Sequence, residues 1–419
     1  MPAGCASRFF GWLNRSSLAL ALSGLSFAGL VYGDDWQQWR GPHRNGVSSE
    51  TGWNAAWPTE GLPMAWKAKV GLGFSSFVVA DGRVFTMGNA EAQDTVWCFD
   101  AKSGKVIWKH SYPAELGDKF FEGGTTGTPT IVGDKLFTLS RWGDAFCFEA
   151  ASGKIVWNKN VQSETGIRIP DWGFTGAPLA QDRLLILNMG DAGVALDQST
   201  GKVVWKSADK NAGYSTPFPW QHDGQSFAVM GNGAAYVAVR VSDGKEAWRT
   251  KWVTEYGVNA SDPIINGDQM FISSGYGKGG GLFQLGSAEP KELWKTKKLR
   301  TQLNGAVLYQ GNLYGVDGDT TEKAALKCLA FETGEEKWSV PGFGSGGVTV
   351  ANGELIALSG MGELMVAPAT ASGFVPRARF QVLGGKCWTA PVLANGLIYC
   401  RNGRGEVAVA DARRKTNPN

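Results

Sequence analysis

The chain is poor in the residues that most often carry chemistry. Its 419 residues include three His, at positions 43, 110 and 222, without ligand spacing, and neither CxxC nor HxxxH occurs, so no metal site is expected. No two cysteines are adjacent, and Ser and His never meet in a G-x-S-x-G context, which leaves no nucleophile triad. Charged residues are scarce, at 19% of the chain. No linker rich in Pro, Gly or Ser divides it, and past residue 33 no apolar run suits a membrane span.

The first 33 residues differ in kind: Arg8 and Arg15 precede the apolar run SSLALALSGLSFAGLVYG. This reads as a secretory signal peptide cleaved near Gly33, placing the protein in the periplasm or beyond. An uncleaved anchor fits less well, because the run is shorter than the roughly 20 residues a span needs. No Cys follows the run, so a lipid anchor is not supported. Without the two leader arginines, 39 basic residues face 38 acidic ones, a net of +1. That balance gives no electrostatic reason for nucleic acid or an anionic membrane as partner. Five cysteines remain, at 98, 147, 328, 387 and 400, an odd number that leaves at least one thiol free. The first three share one repeat position and read as small buried hydrophobes. Cys387 and Cys400, on neighbouring strands, are the candidates for a pair.

What is abundant is glycine and aromatic residues: 58 Gly, 18 Trp and 21 Phe, the composition of a β-rich chain with many turns. The stretch CFDAKSGKVIW at 98–108 returns as CFEAASGKIVW at 147–157, ALDQSTGKVVW at 195–205, AVRVSDGKEAW at 238–248 and CLAFETGEEKW at 328–338. Each has Gly four residues before Trp: Gly104, Gly153, Gly201, Gly244 and Gly334. Gly there supplies a positive φ for a turn, and the Ser, Thr or Asp before it can bond the turn backbone. Degraded copies end at Trp294 and Phe380, and Trp66 stands alone in MAWKAKV. From Trp66 to Phe380 the eight aromatics recur 42 to 49 residues apart, a period that suits a four-stranded propeller blade. A second series of eight turns, from VADGRVF to LANGLIY, alternates with the first.

The expectation is an all-β, eight-bladed propeller of four-stranded antiparallel blades, closed by the strand around Trp66 joining the last blade. Such closure removes open sheet edges. The organisation predicted is a signal peptide at 1–33, a lead segment at 34–63, one propeller at 64–412 and a polar tail at 413–419. A monomer is expected.

On the blade-end motif DAKSGKVIW and its copies, and on the lead WQQWRGPHRNGVS at 36–48, the sequence resembles the PQQ-like (pyrroloquinoline quinone) β-propeller repeat family. That family includes the BamB type and the quinoprotein alcohol dehydrogenases. The resemblance implies either an envelope scaffold that binds proteins, or an alcohol or sugar oxidoreductase using PQQ with Ca²⁺. The dehydrogenases are longer and carry a vicinal Cys pair, and the BamB type carries a lipobox Cys. This chain has neither.

A propeller's ligand site usually lies at one mouth of its channel, where loops enter the inner strands. Here those segments offer Arg168, Asp171 and Trp172; Glu255, Tyr256, Asn259 and Asp262; Arg300, Gln302 and Asn304; and Trp388. Asn and Asp near an aromatic platform, with Arg opposite, could hold a polar cofactor or saccharide, with an envelope protein as the other class of partner. The same Asn and Asp side chains could equally serve backbone groups of the turns. Under the quinoprotein alternative, Asp171 or Asp262 would be the base, and Asn259 or Asn304 would sit near the Ca²⁺. The acidic turn at 317–322, with Asp317, Asp319 and Glu322, lacks the third acid and the Gly of a Ca²⁺ loop and reads as an exposed turn. The repeated Trp reads as core packing, whereas Trp172 and Trp388 are placed to face the channel.

Overall fold

The computed structural model describes residues 35–414 apart from residues 211 and 320–322. The expected signal peptide, Glu322 and most of the polar tail lie outside the described residues. The rest is an eight-bladed propeller with one short helix, Val161–Thr165. No helix among the described residues is long and apolar enough to cross a membrane.

Blade 1 is built, inside to outside, from Val78–Ala80, Arg83–Ala90, Gln93–Asp100 and Val106–Pro113. Blades 2 to 7 repeat this order, their inner strands beginning at Thr130, Leu179, Phe218, Ile264, Val307 and Gly347. Blade 8 takes three strands from the C-terminus, Val392–Ala394, Leu397–Arg401 and Glu406–Asp411, and its outer strand from Met64–Lys69. The ring thus closes as the sequence predicts. The inner hairpins turn through paired positive φ values, as at Asp81 and Gly82 or Asn395 and Gly396, the twist that matches two antiparallel strands.

The repeated motif is an interlock between blades. In seven outer strands two residues oppose one just before the Trp, a bulge that re-aims its ring. Blade 7, with Phe380 in place of Trp, pairs without the bulge. Five of the seven re-aimed rings, those of Trp66, Trp108, Trp157, Trp205 and Trp294, cover the glycine of the next blade's turn. A Cβ on Gly104, Gly153 or Gly201 would lie 2.6–2.7 Å from the rings of Trp66, Trp108 or Trp157. The indole Nε1 of each of these three donates to a carbonyl of the same turn: Ala101, Ala150 and Gln198, at 2.8–2.9 Å. The glycine therefore answers two demands at once, a φ near +70° and room for a neighbour's ring.

A second device closes the seam. Arg401, fully buried in blade 8, donates to the carbonyls of Ser75, Met87 and Gly73 and to the Thr86 hydroxyl of blade 1, at 2.7–3.0 Å. Burial pulls its pKa down to about 9, yet no carboxylate pairs with it; neutral oxygens carry the solvation that water would supply.

Two expectations are corrected. All five cysteines are buried free thiols, Cys387 and Cys400 included, both within one apolar cluster of blades 7 and 8. Asp317 is not on an exposed turn: it is buried, with Arg300 at 2.8 Å and Lys327 at 3.0 Å.

Candidate functional site at the channel mouth

The loops that enter the inner strands converge on a cavity of about 470 Å³, within the range of about 300–1,000 Å³ usual for small-ligand sites. Its floor comes from the lead segment. Trp36 pairs with Val79 of blade 1, the Gln37 carbonyl accepts from Ile131 of blade 2, and Val47–Ser48 run parallel to the inner strand of blade 7. Between these anchors, Trp39 projects into the channel and its Nε1 donates to Asp262 at 2.6 Å. Arg40 beside it is buried and donates to the carbonyls of Asn45 and Ala306.

The walls are mostly aromatic. Phe74 stacks on Trp388, with ring centroids 4.8 Å apart and an interplanar angle of 21°, and Phe121 leans on the other side of Phe74. Phe120, Trp172 and Tyr214 form a second group, and Tyr256 meets Tyr276 edge-on at 5.0 Å. Protein cations already cover some of these rings: Lys386 over Trp388, Lys119 over Phe120 and Arg141 over Phe121, at 4.8–5.1 Å.

The polar lining residues are tied into a belt from blade to blade. The Thr128 hydroxyl accepts from the Ser76 N–H, the Thr216 hydroxyl from Ala177, and the Asp262 carboxylate from Thr216 at 2.7 Å. The hydroxyls of Thr175 and Thr389 donate to the carbonyls of Tyr214 and Phe74. Asn304 spends both amide hydrogens on the carbonyls of Gly346 and Trp388, and the Gln302 oxygen accepts from Gly275.

Of the residues singled out from sequence, Trp172, Tyr256, Asp262, Gln302, Asn304 and Trp388 line this one cavity. The others lie elsewhere. Arg168 is exposed and paired with Asp209, Asp171 is exposed beside Trp172, and Glu255 is exposed and not part of the lining. Arg300 pairs with Asp317 outside the cavity. Asn259 is fully buried as a clamp: its amide donates to the carbonyls of Asn232 and Trp252, and its oxygen accepts from Ser274. Trp39, Phe74, Phe120, Phe121, Tyr214 and Tyr276 were not singled out. Phe120 and Phe121 stand in the segment KFFEGGTTGTP, and Tyr214 in NAGYSTPFP, so their place in the repeat was the available signal. Trp39 had none, because only the fold brings the lead segment under the mouth.

Among the described residues, Asp262 is the single charged side chain in the lining. Burial raises its pKa, while Arg40, Trp39 and the Thr216 N–H favour the carboxylate. Both oxygens are engaged, so it is badly placed to take a proton from a substrate. The donor set also fits PQQ poorly. That quinone carries three carboxylates, and among the described residues no Arg or Lys lines the cavity to receive them. Among the described residues no group of three or more His, Cys, Asp or Glu converges as metal ligands.

Residues 92–340 match a family model described as outer membrane protein assembly factor BamB. No curated protein matches the chain. Among solved structures it is similar to BamB from Moraxella catarrhalis, with a TM-score of 0.62 and 15% identity over 84% of this chain and 99% of that one. It is similar also to the quinohaemoprotein alcohol dehydrogenase of Comamonas testosteroni, with a TM-score of 0.70 and 14% identity over 92% of this chain and 82% of that one. A europium-containing methanol dehydrogenase gives a TM-score of 0.66 and 13% identity over 88% and 89%. At such identities these structures share the fold alone. With eight interlocked blades and a matching repeat over more than half its length, the chain belongs to the PQQ-like propeller family of outer membrane protein assembly factor BamB.

Proposed function

We propose that the protein is an exported, non-catalytic binding propeller of the cell envelope, whose ligand seats in the channel mouth. The observation that carries this reading is the charge and commitment of the lining. Its walls are largely aromatic, whereas its one carboxylate among the described residues is buried with both oxygens hydrogen-bonded. Such a site offers contact area and orientation but no available base. Resemblance to BamB supports a scaffold role, and the expected signal peptide supports export.

Equilibrium dialysis of purified protein against PQQ with Ca²⁺, followed by dye reduction with a panel of alcohols and sugars, tests it. The expected result is no stoichiometric quinone at high micromolar cofactor and no substrate-dependent reduction. One bound quinone per chain together with turnover would refute the reading and establish a quinoprotein oxidoreductase.

A further inference from the structure

Because most polar lining groups already have a partner, what remains free on each decides what the cavity can recognise. A hydroxyl has one donor and two acceptor sites. Thr128 and Thr216 accept a backbone N–H and keep their O–H donors. Thr175 and Thr389 donate theirs and keep acceptor lone pairs. Among the described residues, the Asn304 carbonyl oxygen and the Gln302 amide nitrogen have no partner, one an acceptor and the other a donor. Half-buried Thr126, also in the lining, has a hydroxyl without a partner among the described residues. Free donors and free acceptors therefore both stand on a lining that is otherwise largely aromatic.

Charge narrows the choice. An anion finds no lining cation and meets the Asp262 carboxylate. An organic cation meets rings already faced by Lys386, Lys119 and Arg141, with Arg40 and Arg44 buried beside Asp262. An apolar peptide side chain would leave the free donors and acceptors dry and unmatched, a cost of about 1–3 kcal/mol for each buried group. The ligand that satisfies all three conditions is neutral, has apolar faces and carries hydroxyls that both give and accept.

We infer that the channel mouth is a binding site for a neutral saccharide, its apolar faces held against the aromatic lining that includes Trp172, Trp388 and Tyr256 and its hydroxyls by Thr128, Thr216, Gln302 and Asn304. The inference rests on the non-catalytic binding reading and gives its ligand class.

Intrinsic tryptophan fluorescence tests it, because Trp39, Trp172 and Trp388 line the cavity. The protein is titrated with cellotriose, maltotriose and N-acetylchitotriose, with trigalacturonate and chitosan trimer as charged counterparts, and with the tripeptide Gly-Leu-Phe. At least one neutral trisaccharide should bind with a dissociation constant below about 1 mM and at least about tenfold more tightly than either charged trimer. Trp388→Ala should weaken it about tenfold; exposed Tyr256→Ala, which leaves the core untouched, should weaken it about threefold. No binding by any neutral trisaccharide to folded protein overturns the inference. If the tripeptide binds instead with the same Trp388 dependence, the saccharide class falls and the binding reading stands. If PQQ saturates the site, both fall.

Discussion

The coupling between Trp157 and Gly201 should appear as a non-additive stability. Gly201 has φ +69°, and an added Cβ would sit 2.7 Å from two carbons of the Trp157 ring. Gly201→Ala should therefore cost about 1–2 kcal/mol for the left-handed backbone and a further 1–3 kcal/mol or so for overpacking against the ring. Trp157→Ala, which removes a buried ring and its hydrogen bond to Gln198, should cost about 3–5 kcal/mol. In the double variant the ring is gone, so Gly201→Ala should add only its backbone cost of about 1–2 kcal/mol. The cycle measured by equilibrium urea unfolding should thus show a coupling of about 1–3 kcal/mol. Gly82→Ala is the control: φ is +71° and nothing lies within 4 Å of its Cβ, so it should lose the backbone part alone. Additivity within about 0.5 kcal/mol, or a Gly82→Ala loss equal to that of Gly201→Ala, would refute the interlock.

Three other outcomes are expected. Burial raises the pKa of Asp94 to about 6, against the hydrogen bond from Asn89. Its native environment thus favours the protonated form, a contribution present below about pH 4 and lost as pH rises through 6. Asp94→Asn should gain about 2–3 kcal/mol relative to the parent between pH 4 and 7, measured as the difference between two unfolding curves; parallel curves would contradict this. Arg401→Met should strand the carbonyls of Ser75, Met87 and Gly73 and lower stability by about 3 kcal/mol or more, with an early fall in melting temperature; a neutral effect would show that the seam does not depend on it. The five buried thiols, with Cys387 pushed up to about 12 by burial, should resist a thiol reagent at pH 8 in native protein and react once guanidinium unfolds it. Rapid labelling of any of them in the folded state would place a cysteine at the surface.

Much of the fold is written locally. A Gly four residues before a Trp sets a turn, a bulge and a ring direction within eleven residues, and counting those units yields the number of blades. Even the closure by Met64–Lys69 follows from one unpaired Trp strand at one end and a missing one at the other. Blade 7 is consistent in the same way: Phe380 breaks the motif, and there the bulge disappears.

The site was legible only in part, because spacing reports which segments reach the channel but not which way a side chain points once there. Trp172 and Trp388 stand at inner-strand entrances and do line the cavity, whereas Asn259 and Arg300, equally suggestive in sequence, are taken by Trp252 and Asp317. Trp252 lies in the same connecting loop as Asn259, and Asp317 ends the strand Asn312–Asp317, so the path of each loop decides the pairing. Local sequence by itself determined the blade, its repetition and its closure, since these depend on contacts between neighbours in the repeat. Tertiary structure alone decided that the lead segment forms the floor, that Asp262 is buried beneath Trp39, and that the mouth is largely aromatic, because those contacts join residues far apart in sequence, as Trp39 and Asp262 are.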